Sequence, residues 1–202
     1  MALERARRMG LEVTRLMSFY DSATGRVRFH MTPVDLLEAQ AAALGVGWRG
    51  IPSHWAEMEA RFQHELATLR AEGFTGLVFG DIHLADVRAW YEERVIAADL
   101  SHVEPLWGES PIELLREFVL GGGRAVVTYV DLAKLDEGWL GRVIDSGFAT
   151  EIEAAGVDAC GENGEYHSFA FDGPIFNRAI AWAAGERVVE SGSAHLELRA
   201  GA

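Results

Sequence analysis

One short stretch of this chain gathers groups able to do chemistry. Between Gly161 and Ser168 stand Glu162, Asn163, Glu165, Tyr166 and His167, with Gly164 in the middle. Two carboxylates and an imidazole can accept or hand on protons, while an amide, a phenol and a hydroxyl can hold a substrate by hydrogen bonds. The glycines allow a tight loop, and Phe169-Ala170-Phe171-Asp172-Gly173-Pro174 follows directly. The alternation predicts a strand with His167, Phe169 and Phe171 on one face and Tyr166, Ser168 and Ala170 on the other. A strand feeding from a polar loop is a rigid support for reactive side chains. The same residue types also describe an acidic surface turn ahead of a hairpin, and residue chemistry alone leaves both readings open.

The elements around this loop follow from periodicity and punctuation. Residues 2 to 9 read as a short helix ended by Gly10, Leu11 to Tyr20 as a strand, and Val27 to Met31 as a second extended piece ending near His30. Thr32-Pro33-Val34-Asp35 carries a helix start, with Thr32 as cap and Pro33 in the first turn. Val46 to Ile51 is expected as a strand, and Ser53 as the cap of a helix burying Trp55, Met58, Phe62, Leu66 and Leu69. Thr75 to Ile82 contains the unbroken apolar run Leu77-Val78-Phe79, as in a buried parallel strand, with Asp81 at its C-terminal end. Residues 84 to 98 form a helix with Trp90 and Val95 inward. Alternating helices and strands predict an α/β fold with a parallel sheet in the first half. The second half reads as α+β: a helix from Ser110-Pro111, a strand from Arg124 to Val130, a helix near Ala149 to Ala155, the polar loop, and a hairpin around Ser191-Gly192. Domains are placed at 1–103 and 104–202.

Composition excludes several classes. Of 202 residues, 18 are Lys or Arg and 31 are Asp or Glu, a net charge of −13, so a nucleic-acid partner is not expected. A single cysteine, Cys160, rules out a disulfide framework and reads as a packing residue. No apolar run suits a membrane span and the N-terminus has no secretory h-region, so a cytoplasmic protein is expected. Gly45-Val46-Gly47-Trp48-Arg49-Gly50 matches a dinucleotide pattern, but it follows a helix, leads into a strand and carries a bulky Trp48 where phosphate would approach. The sole lysine, Lys134, lies in no phosphate-loop motif, and the histidines show no zinc spacing.

Four stretches together resemble one family: Gly80-Asp81-Ile82, Glu104-Pro105-Leu106-Trp107-Gly108, Trp139-Leu140-Gly141-Arg142 with Asp145, and Gly161 through Pro174. Arg28-Phe29-His30 and the helix after it fit as well. The combination is similar to the diphthine–ammonia ligases, ATP pyrophosphatases whose nucleotide domain has the adenine nucleotide alpha hydrolase-like fold. The resemblance implies an ATP-dependent ligase that activates a carboxylate as an acyl-adenylate for attack by ammonia, with ATP and Mg²⁺ as cofactors. It implies catalytic roles for Glu162, Glu165 and His167, and nucleotide contacts from His30, Gly80 and Asp81, with Asp81 as the metal ligand. Substrate contacts fall to Asn163, Tyr166, Trp107, Trp139 and Arg142, although Trp107, Trp139 and Arg142 equally suit a packing cluster. The implied partners are ammonia and a carboxylate substrate, small or protein-borne, and a homodimer is left open. The family opens with a strand and an S-G-G-x-D-S phosphate loop, whereas this sequence begins at the helix that follows. The expectation is therefore a late start or a truncated nucleotide domain. A remnant that binds nucleotide or substrate without turnover, or a simple ATP pyrophosphatase, is the alternative.

Overall fold

The computed structural model describes residues 1–28 and 30–201 of the chain. They fold as a mixed α/β structure in two compact units, each assembled from separate parts of the sequence. The first comprises Met1–Val13 and Ser53–Ser110, the second Thr14–Pro52 and Pro111–Ala202. The sequence reading instead places one boundary, between 103 and 104.

The first unit is built on a strand–helix–strand crossover. β3 (Gly76–Val78) and β4 (Ser101–Val103) pair in parallel, with Leu77 opposite His102, and α4 (Ala85–Ala97) connects them. A parallel pair requires such a crossover, because the chain must return to its starting end. Gly76 is needed for the close approach: a Cβ there would lie 2.6 Å from the Ser101 carbonyl oxygen. The strand is shorter than Thr75–Ile82 and half-buried rather than enclosed. α3 (Met58–Ala71) buries Phe62, Leu66 and Leu69, as its spacing predicts. It does not start at Ser53, however. Ser53 ends a strand and its hydroxyl donates to the His54 carbonyl, and a 3-10 turn, Trp55–Glu57, intervenes. Trp55 is consequently 63% exposed instead of inward. α1 (Ala2–Arg8) is anchored by a two-pronged bond from Arg5 to Glu109, at 2.8 and 3.2 Å.

The second unit holds the four-stranded antiparallel sheet, in the order β6-β5-β8-β7. Its strands are β5 (Arg124–Asp131), β6 (Tyr166–Asp172), β7 (Trp182–Glu190) and β8 (Ser193–Ala200). β5 is the apolar spine: Val126, Val127 and Val130 are fully buried. β8 reaches only its C-terminal end, from Tyr129 to Asp131, and the segment 141–144 bonds alongside its N-terminal half. α5 (Pro111–Leu120) and α6 (Ser146–Ala155) cover the core, pinned to each other by Arg116–Glu153 at 2.7 Å. Asp145 caps α6 by accepting from the Phe148 amide at 2.8 Å. α2 (Val34–Ala43) starts after Pro33, and its Gln40 side chain donates to the Ala170 carbonyl at 2.7 Å. β1 (Arg15–Asp21) and β2 (Gly47–Ser53) form a separate two-stranded sheet.

The piece read as extended from Val27 to Met31 is a turn instead. The Met31 amide donates to the Val27 carbonyl and the Val27 amide to that of Thr32, with Met31 at φ 53°. Phe29, which is part of that reading and of the Arg28-Phe29-His30 motif, lies outside the described residues.

Candidate functional site

In the second unit the polar loop is a defined structure. Asp158 Oδ1 accepts the amides of Cys160 and Glu162, at 2.8 and 3.3 Å, turning the chain back on itself. Gly161 lies at φ 74°, and a Cβ there would stand 2.5 Å from the Tyr166 carbonyl, so no other residue fits. The lone lysine closes the turn: Lys134 Nζ donates to the Asn163 carbonyl at 2.6 Å. The Asn163 side chain is left on an exposed residue.

Glu165 and Tyr166 are both drawn inside. The Tyr166 ring meets Phe148 edge to face at 5.4 Å, and its hydroxyl donates to the Ala159 carbonyl at 2.6 Å. Burial pushes that phenol far up, so it stays protonated and committed to this bond. Tyr166 is thus as buried as Phe169 and Phe171, although alternation places it on the opposite face from them. α6 and the turn at Ala159 cover its side. Glu165 is only 4% exposed, with Oε1 in a long 3.4 Å contact from the Asp158 amide. Its Oε2 is buried without a hydrogen-bond partner. A buried carboxylate oxygen lacking a donor is costly, and such atoms mark places where a ligand or ion completes the arrangement.

His167 sits on β6 opposite Tyr129, where β5 carries an irregularity between Val127 and Tyr129. Irregularities of this kind re-aim side chains near functional sites. Its ring is 5.2 Å from that of Tyr129 and 4.3 Å from that of His30. His30 arrives on the turn before α2, which Arg26 holds by donating to the Met31 carbonyl at 2.9 Å. Burial lowers His167 to about 4, with proximity to His30 adding to it. Burial also lowers His30, against a hydrogen bond to the Ser168 backbone. Two neutral imidazoles therefore lie against each other beside the polar loop. The sequence points to both histidines, but it has no signal that they touch.

Trp139 and Arg142 also meet in this unit. The Arg142 guanidinium lies 4.6 Å from the Trp139 ring and pairs with Glu151 at 2.7 Å, while Trp139 meets Phe148 edge-on.

The first unit has its own polar cluster, at the C-terminal end of the parallel pair. Asp81 follows β3 and Glu104 follows β4, the end of an open parallel sheet where ligands bind. Burial raises Asp81 above the usual carboxylate range, while His102 opposes the shift. His102 and Glu104 are absent from the motif-based reading as site residues, yet their side chains are 2% exposed and stand 3.3 Å apart. Burial lowers His102 and raises Glu104, and His102 Nε2 and both Glu104 carboxylate oxygens lack an aligned hydrogen bond. Arg88 Nε approaches Glu104 at 3.1 Å, and its guanidinium lies over Trp107 at 4.4 Å. Trp107 is thus a platform for Arg88. Gly80 is exposed beside Ala2, at 3.8 Å from where a Cβ would stand. Among the described residues no group of three or more His, Cys, Asp or Glu side chains is arranged to hold a metal ion. No helix among them is long and apolar enough to cross a membrane.

Residues 110–200 match the family model of the diphthamide synthase C-terminal domain, a span that includes the polar loop and the whole antiparallel sheet. The human diphthine–ammonia ligase is 34% identical over 93 residues, 44% of this chain and 35% of that protein. The mouse diphthine–ammonia ligase is 32% identical over 128 residues, 61% of this chain and 48% of that protein. The chain thus spans between about a third and a half of the length of the curated relatives it matches. The segment that carries the polar loop and its sheet is thus similar to the diphthamide synthase C-terminal domain and to the diphthine–ammonia ligases.

Proposed function

We propose that this chain serves an ATP-dependent, amide-forming ligase that joins ammonia to a carboxylate. The observation that carries the reading is the buried Glu165 oxygen without a donor, inside the matched segment and two residues before the neutral His167. A nucleophilic nitrogen presents N–H groups, which is what an unpaired carboxylate oxygen and an unprotonated imidazole accept.

In this reading a substrate carboxylate oxygen attacks the α-phosphorus of ATP and pyrophosphate leaves. Ammonia then attacks the acyl carbon of the adenylate and AMP leaves, giving the amide. His167 at about 4 is too weak a base to hold the proton of ammonium, so its role is to accept a hydrogen bond and orient the nitrogen. Ammonia is then taken up neutral, and Glu165 fixes its position. Glu162 and Asn163, at the open side of the loop, are suited to the acceptor substrate. The Tyr166 hydroxyl, already bonded to Ala159, shapes the loop rather than the substrate.

The adenine nucleotide alpha hydrolase-like fold is the corresponding proposal for the nucleotide domain. The parallel pair β3 and β4, with Asp81 and Glu104 at its C-terminal end, is compatible with it. Mg²⁺ bound with ATP would neutralise phosphate charge, and Asp81 fits as a single carboxylate ligand, since Mg²⁺ takes its other oxygens from water and phosphates. His30, in the other unit, is better explained by its contact with His167 than by the nucleotide contact implied by resemblance.

The test is purified protein with Mg-ATP, a panel of carboxylic acids and ¹⁵N-labelled ammonium. Pyrophosphate release that needs both an acid and ammonium, with label in an amide, is the expected result. Pyrophosphate release indifferent to both would refute the ligase and leave a plain ATP pyrophosphatase.

A further inference from the structure

An open groove in the first unit is used by none of this chemistry. It has a volume of about 470 Å³, within the roughly 300–1,000 Å³ usual for ligand sites. Trp55, Met58, Trp90 and Tyr91 supply its apolar and aromatic lining, and Glu59 and Asp86 are its charged residues, with no Lys or Arg among those that line it.

The protein itself shows what such a lining holds. The Arg94 guanidinium lies 4.0 Å from the centre of the Trp90 ring and bonds Glu59 at 2.6 and 3.0 Å, so an indole and a carboxylate grip one guanidinium from two sides. The groove repeats those two groups. Trp55 is 63% exposed, and Asp86, in the first turn of α4, makes no hydrogen bond or ion pair among the described residues. The two line the same groove.

We propose that this groove binds a guanidinium group, the arginine side chain of a partner peptide, with Trp55 as the stacking surface and Asp86 as the ion partner. Guanidinium is planar and weakly hydrated, so it stacks on indole while its edge donates to a carboxylate. A compact ammonium is more strongly hydrated and cannot do both as well. Phosphate-bearing ligands are disfavoured by the two carboxylates and by the chain's net charge of −13. This binding needs no ATP and is independent of the ligase reading.

The experiment titrates N-acetyl-arginine amide into the full chain without nucleotide, followed by calorimetry and by the indole N–H signals in NMR. One stacked ring and one exposed ion pair give weak binding, with a Kd on the order of 10 mM. Asp86→Asn and Trp55→Ala should each weaken binding about threefold to tenfold. Both residues are exposed, so the melting temperature should hold, and two variants of different chemistry keep the test valid if one fails to fold. N-acetyl-lysine amide should bind at least about threefold more weakly. The proposal is overturned if the arginine probe fails to saturate, or if neither variant weakens it. It is equally overturned if the lysine probe or tetramethylammonium binds as tightly, or if AMP binds the groove in their place.

Discussion

Mild acid should loosen the second unit through the two histidines whose rings meet there. His167 titrates near 6.5 in an unfolded chain but only near 4 in the folded one, because burial and the neighbouring His30 penalise its charge. Between those values the unfolded chain takes up a proton that the folded chain refuses. The contribution to stability is therefore complete above 6.5 and is lost as pH falls towards 4. Linkage puts the loss from His167 alone at about 2 kcal/mol by about pH 5 and about 3 kcal/mol by about pH 4. His30 is shifted in the same direction and adds to the loss. A domain of ordinary stability, about 5–15 kcal/mol, would feel that as a large part of its margin. The assay is urea unfolding across this range, with NMR titration of the histidine Cε1 protons. His167→Gln keeps a hydrogen-bonding side chain without a titrating one, and should flatten the dependence between about pH 6.5 and about pH 5. A His167 midpoint near 6.5, or an undiminished slope in the variant, would refute the argument.

Glu165→Gln replaces a buried carboxyl group that has one oxygen without a donor, and Gln keeps the oxygen that faces the Asp158 amide. Unfolding should show stability unchanged or raised by about 1 kcal/mol, while the KM for ammonium rises. Ligase rate at subsaturating ammonium should climb about tenfold per pH unit below the pKa of ammonium, because no residue here replaces the missing base; a flat profile would show that one does. Phe148, fully buried between Trp139 and Tyr166, should cost about 3–5 kcal/mol as Phe148→Ala in chemical denaturation. The Cys160 thiol, pushed up to about 12 by burial and donating to the Pro111 carbonyl, should resist alkylation at about pH 8 until denaturant is added.

The sequence by itself carried what depends on neighbours along the chain. The apolar spacing of Phe62, Leu66 and Leu69 set the buried face of α3, and Pro111 set the start of α5. The alternation of β8 and the Ser191-Gly192 turn set the terminal hairpin. The polar loop was also legible, since Gly161 and the run from Glu162 to His167 stand together in sequence. What sequence could not carry is anything set by long-range contact. Ser53 looks like a helix cap, but it ends β2 instead, and Trp55 is left in the open. Alternation put Tyr166 away from the buried phenylalanines, but α6 and the turn at Ala159 bury it as well. His30 and His167 are far apart along the chain, and only the turn held by Arg26 brings their rings to 4.3 Å. Glu104 opens one of the motif stretches, but nothing along the sequence sets it against His102; the parallel pair and Arg88 of α4 do. Local propensity acts over a turn or a strand, whereas the desolvation that shifts these groups comes from chain that folds back from elsewhere.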